Sequence, residues 1–412
     1  MRIQRCKGTR DLSPDEMNRF RHIEETFRDS CLGWGFREVR TPTIEYLHLF
    51  TSAGTLTPSM LGKVYSFLDW DGWSGERVVL RPDGTIPIAR MYIDSLAEKG
   101  LARLFYVANT FIFEETGKKT RERWQCGIEL IGLGSPLADA HLVLLALETL
   151  QKLGLGGVRL RLSHAGLIKE LLASLDLSSE EQSRVFDQVL DGNSQVLTGM
   201  ESKRPELENI LLPLLNLKGR SSGFLKNLRA LSSPGLPGLV PYLDDFIKIV
   251  DILEDLGCKY QVDIASGAGF EYYTGVIFQF YVGKEKIGGG GRYDDLIPAM
   301  GGGDVPASGF ALYVDRLLGL LGTEFDSLSQ VPRIMVRAES DDVMKTAFTA
   351  AGRLRRAGYV AELDLGAGKS ADLRWTLLVR NADRPFLLTD KVKSVEIEVP
   401  TIEEVLKTIR EG

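Results

Sequence analysis

LFYVANTFIFEETGKKTRERWQCGIELI, residues 104–131, decides the architecture of the chain. Leu104 to Val107, Phe111 to Glu114 and Gln125 to Ile131 are apolar and aromatic runs with the length and composition of strands, separated by polar residues. Strands that follow one another without a crossover helix pair as antiparallel neighbours. Upstream, Val64 to Leu68 and Glu76 to Leu80 read as two more strands around the turn Asp69-Trp70-Asp71-Gly72, and a helix is expected from near Pro87 past Leu96. Ser13-Pro14-Asp15-Glu16 carries the signals of a helix start, with Ser13 as N-cap and Glu16 completing a capping box. That helix should reach about Leu32, where Gly33-Trp34-Gly35 stops it, and the alternating Phe36 to Thr41 should be a strand ending at Pro42.

Downstream of the opening stretch a helix is expected from Leu137 to Leu153. Residues 166–250 are rich in Leu, Ser, Glu and Lys at helical spacing and read as a helical insertion. Strand patterning resumes at Val262 to Ile264, Tyr272 to Tyr281 and Lys286 to Gly290, before a helix expected over Ser308 to Leu321. From Val331 the pattern becomes a compact β-α-β series: Arg333 to Val336, a helix from 341 to 357, Tyr359 to Leu363, Trp375 to Val379 and Pro385 to Leu388. The expectation is an α+β fold: residues 1–330 form an antiparallel sheet flanked by helices, and 331–412 form a small separate α/β domain.

Composition narrows the function classes. The 412 residues exceed what one core usually organises, and a net charge of −6 is not the basic balance of a chain that grips nucleic acid through phosphates. No uncharged apolar run approaches the ~18 residues that span a bilayer, so a soluble protein is expected. The cysteines at 6, 31, 126 and 258 form no C-x-x-C pair and the histidines at 22, 48, 141 and 164 are scattered, so neither a metal site nor a disulfide framework is expected, and a reducing cytoplasm is the default. No cofactor motif stands out either. Gly366-Ala367-Gly368-Lys369-Ser370 resembles the end of a phosphate-binding loop, but Leu363 stands where that loop needs glycine, which leaves a turn between strand and helix. Gly288 to Gly291 and Gly301 to Gly303 fit either a close backbone approach to a ligand or turns with positive φ.

Taken in order, these segments resemble the class II core of histidyl-tRNA synthetases over roughly 1–325. Lys7-Gly8-Thr9-Arg10-Asp11 is similar to the N-terminal signature, and Gly35 to Pro42 to motif 1, an element through which class II cores dimerise. Leu80-Arg81-Pro82-Asp83-Gly84-Thr85 resembles the segment that holds the amino group of histidine. Phe111 to Glu115 and Gln125 to Glu129 resemble the two strands of motif 2, and Gly309-Phe310-Ala311 through Asp315-Arg316-Leu317 motif 3. Gly269 to Gly275 and Gly289 to Asp294 resemble two motifs specific to the histidine branch. The resemblance implies a histidine pocket in which Asp83, Thr85 and Gln125 meet the ammonium group, Glu129 and Tyr273 meet the imidazole, and Tyr272 stands beside them.

The departures carry as much weight. The synthetases meet the adenylate phosphate with an arginine in motif 2 and another before the Tyr-Tyr element, and here those positions are Ile112 and Ala268. Glu115 adds a negative charge where the synthetases tend to be basic. Losing one preorganised charge-stabilising donor costs about 10²–10³ in rate, so two such losses imply that adenylation is dismantled while ligand contacts persist. That pattern, with Asp83 and Asp315 in place of glutamates, resembles the synthetase paralogues that serve as regulatory subunits of ATP phosphoribosyltransferase. The resemblance implies a short-form catalytic subunit as partner, a self-dimer through 35–42, and histidine as a feedback ligand in the first step of histidine biosynthesis. The tail, with 14 Lys and Arg against 13 Asp and Glu over 332–412, offers no anticodon-binding patch, so tRNA is not an expected partner.

Overall fold

A computed structural model of the chain describes residues 4–52, 61–70, 75–113, 121–173, 178, 181, 218–232, 235–264, 272–322, 332–366 and 373–411. It divides into two compact units, Met1–Asp326 and Ser327–Gly412. The strands of the first unit are, in chain order, β1 (Arg37–Glu38), β2 (Ile44–Tyr46), β3 (Ser66–Trp70), β4 (Gly75–Leu80), β5 (Ala102–Phe111), β6 (Glu122–Ile131), β7 (Val158–His164), β8 (Lys218–Gly219), β9 (Tyr260–Asp263), β10 (Val276–Val282), β11 (Glu285–Arg292) and β12 (Ala307–Tyr313). Among the described residues nine of them make one sheet in the order β1-β5-β6-β12-β11-β10-β7-β9-β8. Its pairings are antiparallel except β1 with β5 and β7 with β9. A second sheet joins β2, β4 and β3.

The helix Pro14–Gly33 opens as its sequence dictates. Ser13 accepts from the Glu16 backbone N–H at 3.3 Å while the Glu16 carboxylate accepts from the Ser13 N–H at 2.9 Å, which satisfies two N–H groups that a helix end otherwise leaves without partners. Elsewhere long-range pairing overrides local pattern. The two strands expected at Leu104–Val107 and Phe111–Glu114 are one, because Ala108, Asn109 and Thr110 continue the ladder opposite Gln125, Trp124 and Arg123; Glu114 lies outside the described residues. The helix expected over Ser308–Leu321 is helical only over Val314–Leu320. Its first half is β12, held extended by β6 on one side and β11 on the other. Of the strand expected over Phe36–Thr41, Arg37 and Glu38 form the ladder with β5 and Val39 adds one N–H bond to the Phe105 carbonyl at 2.9 Å, and the strand expected from Tyr272 begins at Val276. Gly288 to Gly291 are extended strand within β11, whereas Gly301 takes a left-handed turn at φ 83°.

Alternation along the strands gives the large sheet two unlike faces. Phe105, Ile128, Phe310, Gly290, Phe278 and Leu162 lie side by side in one cross-strand row, on the face covered by the helices Pro136–Lys152 and Val240–Asp255. Gly290 has to be glycine there, since a Cβ would meet the Gly309 carbonyl and come within 2.6 Å of Phe310 Cα. One residue along, the opposite face presents Gly127, Ala311, Gly289 and Gln279, a nearly bare surface. The insertion is helical where described, over Ala165–Ala173, Ser222–Ser232 and Val240–Asp255, with the short β8 added to the sheet edge.

The second unit has its own core. Its strands β13 (Arg333–Ala338), β14 (Val360–Leu363), β15 (Trp375–Val379), β16 (Phe386–Asp390) and β17 (Val395–Val399) run in the order β14-β13-β15-β16-β17, with β13 parallel to both β14 and β15. The parallel half is the expected β-α-β arrangement around the helix Met344–Arg356. The antiparallel β17 and the closing helix Ile402–Glu411 extend it beyond the expected elements, and after the turn at Gly366 the next described element is the strand Trp375–Val379, residues 367–372 lying outside the described residues. Ile334, Leu354, Leu377, Leu388 and Val405 are buried together.

Candidate functional site

The bare face of the sheet is the floor of a cavity of about 440 Å³. Gly289, Gly309 and Ala311 leave the floor without long side chains, so a ligand can lie directly on the strands. The walls come from four places: the turn before the helix Thr85–Ser95 supplies Asp83 and Thr85, β6 supplies Gln125, the end of β5 leads to Ile112, and the segment before β10 supplies Tyr272 and Tyr273. The residues singled out at 83, 85, 112, 125, 272 and 273, spread over some two hundred positions of sequence, therefore line one cavity. Ala268 and Glu115 lie outside the described residues.

Glu129 sits under the floor edge with 1% of its surface exposed. The Thr85 hydroxyl donates to its Oε1 at 2.7 Å and the Tyr293 hydroxyl donates to its Oε2. A Cβ on Gly309 would collide with that carboxylate, so the glycine makes room for it. Thr85 and Glu129, assigned by resemblance to different ends of a ligand, are thus in direct contact with each other. Asp83 is buried as well, and its Oδ1 accepts from the Ile86 backbone N–H at 2.9 Å, so one oxygen caps the helix whose first turn it faces. Gln125 spends an amide hydrogen on the Tyr106 hydroxyl, Nε2 to Oη 3.0 Å.

Burial dominates the electrostatics. It pushes the Glu129 carboxyl up to about 8 against the opposing hydrogen bonds from Tyr293 and Thr85, with Asp83 adding to the rise. It pushes Asp83 up to about 6 against backbone N–H donors from Ile86, Thr85 and Gly84. The phenols of Tyr106, Tyr272, Tyr273 and Tyr293 are held well above their ordinary value by the same desolvation and by these acids, so they remain neutral donors. At the Asp83–Glu129 end, two acids among neutral donors favour a positively charged group, while Arg123, Lys286 and Arg316 line other parts of the same cavity. An ammonium with a second N–H donor a few ångströms away fits that pattern. At the opposite rim Arg316 pairs with Glu285 at 2.6 Å, and Asp315 accepts from Arg10 at 2.9 Å and from the Trp124 N–H at 2.8 Å. The wall beside them carries the aliphatic Ile112.

Two contributors were not assigned from sequence. Tyr293 belongs to the Gly-rich segment, and alternation at the end of β11 alone places it on the pocket side of Arg292. Tyr106 reaches the site because Gly84 and Gly127 both leave space that a Cβ would deny its ring. That fit depends on the β5–β6 register, for which the sequence carries no local signal.

Comparison with known proteins gives the family. The family profile described as "Histidyl-tRNA synthetase" matches residues 8–317. An ATP phosphoribosyltransferase regulatory subunit from Dehalococcoides mccartyi is 52% identical over 98% of this chain and 98% of its own. A histidine–tRNA ligase from Archaeoglobus fulgidus is 31% identical over 98% of this chain and 96% of its own. Among solved structures, one described as an ATP phosphoribosyltransferase regulatory subunit/histidyl-tRNA synthetase from Bacillus halodurans superposes with a TM-score of 0.76 at 24% identity, covering 90% of this chain and 95% of that one. The histidyl-tRNA synthetase from Nostoc gives 0.75 at 19% identity, covering 99% and 100%. Near-complete coverage at 52% identity, over a class II core whose pocket carries an isoleucine in its wall, places the chain in the histidyl-tRNA synthetase-like family of ATP phosphoribosyltransferase regulatory subunits.

Proposed function

We propose that this chain is a cytoplasmic, non-catalytic regulatory subunit that activates a short-form ATP phosphoribosyltransferase catalytic subunit and transmits feedback inhibition by free histidine. The observation that carries the reading is that Asp83, Gln125 and Tyr273 line one cavity, with Glu129 buried beneath it and held by Thr85 and Tyr293, while the wall position where the resemblance expects the motif 2 arginine is Ile112; the cations that line the cavity, Arg123, Lys286 and Arg316, stand elsewhere in it. A site that binds a ligand without stabilising a transition state suits sensing rather than turnover. The ammonium is read as lying toward Asp83 and the imidazole toward Glu129 and Tyr273. Dimerisation through 35–42 would present the catalytic subunits symmetrically.

The test has three readings. Histidine-dependent pyrophosphate exchange should stay at background; turnover of about 1 s⁻¹ or faster would restore the synthetase reading, which the 31% identity to an archaeal ligase keeps in view. Calorimetry should detect histidine binding that Glu129→Ala weakens by about 1.5–3 kcal/mol. Mixing with the short catalytic subunit of the same organism should raise phosphoribosyl transfer to ATP, and histidine should lower it. No co-elution and no activation would end the proposal.

A further inference from the structure

The two tyrosines that frame the acid end of the pocket are fastened by the helices that enter and leave the insertion. Lys169, on the helix Ala165–Ala173, donates from Nζ to the Tyr273 carbonyl at 3.0 Å. Asp245, on the helix Val240–Asp255, meets Arg292 through an Oδ2–Nη1 contact of 3.1 Å, and Arg292 is followed directly by Tyr293. Arg292 is also clamped by Asp139 of the helix Pro136–Lys152, Nε to Oδ2 3.0 Å. His164 closes the group: its Nδ1 accepts from the Leu167 N–H at 3.4 Å, so its Nε2 carries the proton and donates to Asp245 Oδ2 at 3.3 Å.

Strand register shows why this group faces away from the ligand. Ser308 pairs with Arg292 and Val276 pairs with His164, so all four lie in one row on the helix-covered face. One residue further, Tyr293 is on the pocket face and donates to Glu129. Asp139 and Arg292 are both at most 9% exposed, and such a buried ion pair is a costly way to gain stability alone. A ligand that donates to Glu129 must share its oxygens with Thr85 and Tyr293 or displace one of them. Either outcome changes the load on the 292–293 step.

We propose that Lys169, Asp245 and Arg292 are positioning residues that couple occupancy of the pocket to the placement of the insertion's flanking helices, making the insertion the element through which ligand binding is communicated. The inference rests on the histidine-sensing reading above and adds its route. Ligand can shift an element between two placements only by binding better with one of them, and the coupling is reciprocal. Severing the link should therefore leave the pocket able to bind while abolishing the consequence.

The experiment uses the full chain assembled with its short catalytic subunit, comparing wild type with Asp245→Asn, Lys169→Met and Lys169→Arg. Calorimetry should find histidine affinity within about threefold of wild type for each, whereas the inhibition that saturating histidine produces in wild type should fall below about twofold in Asp245→Asn and Lys169→Met. Lys169→Arg, which keeps charge and reach, should retain the inhibition. Equal inhibition of all variants with intact binding overturns the coupling alone. A tenfold or greater loss of affinity in Asp245→Asn also overturns it, because the residue would then be part of the pocket's construction. If wild type itself binds no histidine, the sensing reading falls and takes this route with it. Asp245→Asn keeps the shape of the side chain and carries the test should Lys169→Met fail to fold.

Discussion

Glu129 and Asp83 share one physical predicament: each is a carboxyl removed from water and supported only by neutral donors. Their native pKa values near 8 and 6 exceed those of the unfolded chain, so between the two states' values the native protein holds protons the unfolded one has lost. Their contribution to stability is therefore full below about pH 4 and is lost as pH rises through those native values. A cationic ligand reverses the preference, since it favours the ionised acids and expels their protons. Histidine binding near neutral pH is expected to release protons, and affinity is expected to climb between about pH 5 and 8. Calorimetry in buffers of differing ionisation enthalpy reads this directly, and the difference between wild type and Glu129→Gln isolates one carboxyl from Asp83, the four phenols and the ligand's own ring. No difference in proton release between the two proteins would mean that Glu129 is already ionised. At this scale Asp83, Gln125 and Tyr273, which sit in recognisable motifs, are found lining one cavity. The sequence did not reveal that Thr85 and Tyr293 both hold Glu129, because those contacts cross 44 and 164 positions.

Elements were legible where their causes are local. The capping box at Ser13 marks the start of its helix to the residue, and Trp375 to Val379 forms a strand with the expected bounds. They were misread where a neighbour decides: Ser308 to Tyr313 is apolar enough for a helix, and only insertion between β6 and β11 makes it a strand. The glycines of β11 belong to the same lesson: their composition allowed positive-φ turns, and pairing within the sheet makes Gly288 to Gly291 extended strand instead, with Gly290 packed closely on β12. Gly290→Ala tests how tightly that packing is set. The added methyl faces the Gly309 carbonyl and Phe310 Cα, backbone atoms that cannot rotate away, so urea unfolding should show a loss of about 1–3 kcal/mol. An unchanged midpoint would mean that β11 and β12 lie further apart than described.

At the scale of the whole molecule the chain has two hydrophobic cores that share no residue, one built on the nine-stranded sheet and one around Ile334, Leu354 and Leu377. Each unit buries its own helices against its own sheet, which is the condition for separate cooperative unfolding. Scanning calorimetry of the full chain should resolve two transitions, of which only the one belonging to Met1–Asp326 moves upward with histidine, in proportion to ligand occupancy. A single transition that shifts as one would contradict that independence. No helix among the described residues is long and apolar enough to cross a membrane.

The pairing of Gly127 with Ala311 has a consequence in time as well as in space. The floor of the pocket is assembled from strands roughly 180 residues apart, and at 5–20 residues per second a ribosome needs about 10–40 s to travel between them. Throughout that interval β5 and β6 exist without the partner that completes the floor, and the whole insertion is synthesised before β12 arrives. Until then the nascent chain lacks the cavity by which a ligand could stabilise it. A ligand can be held on that floor only when its last strand has left the ribosome and taken its place.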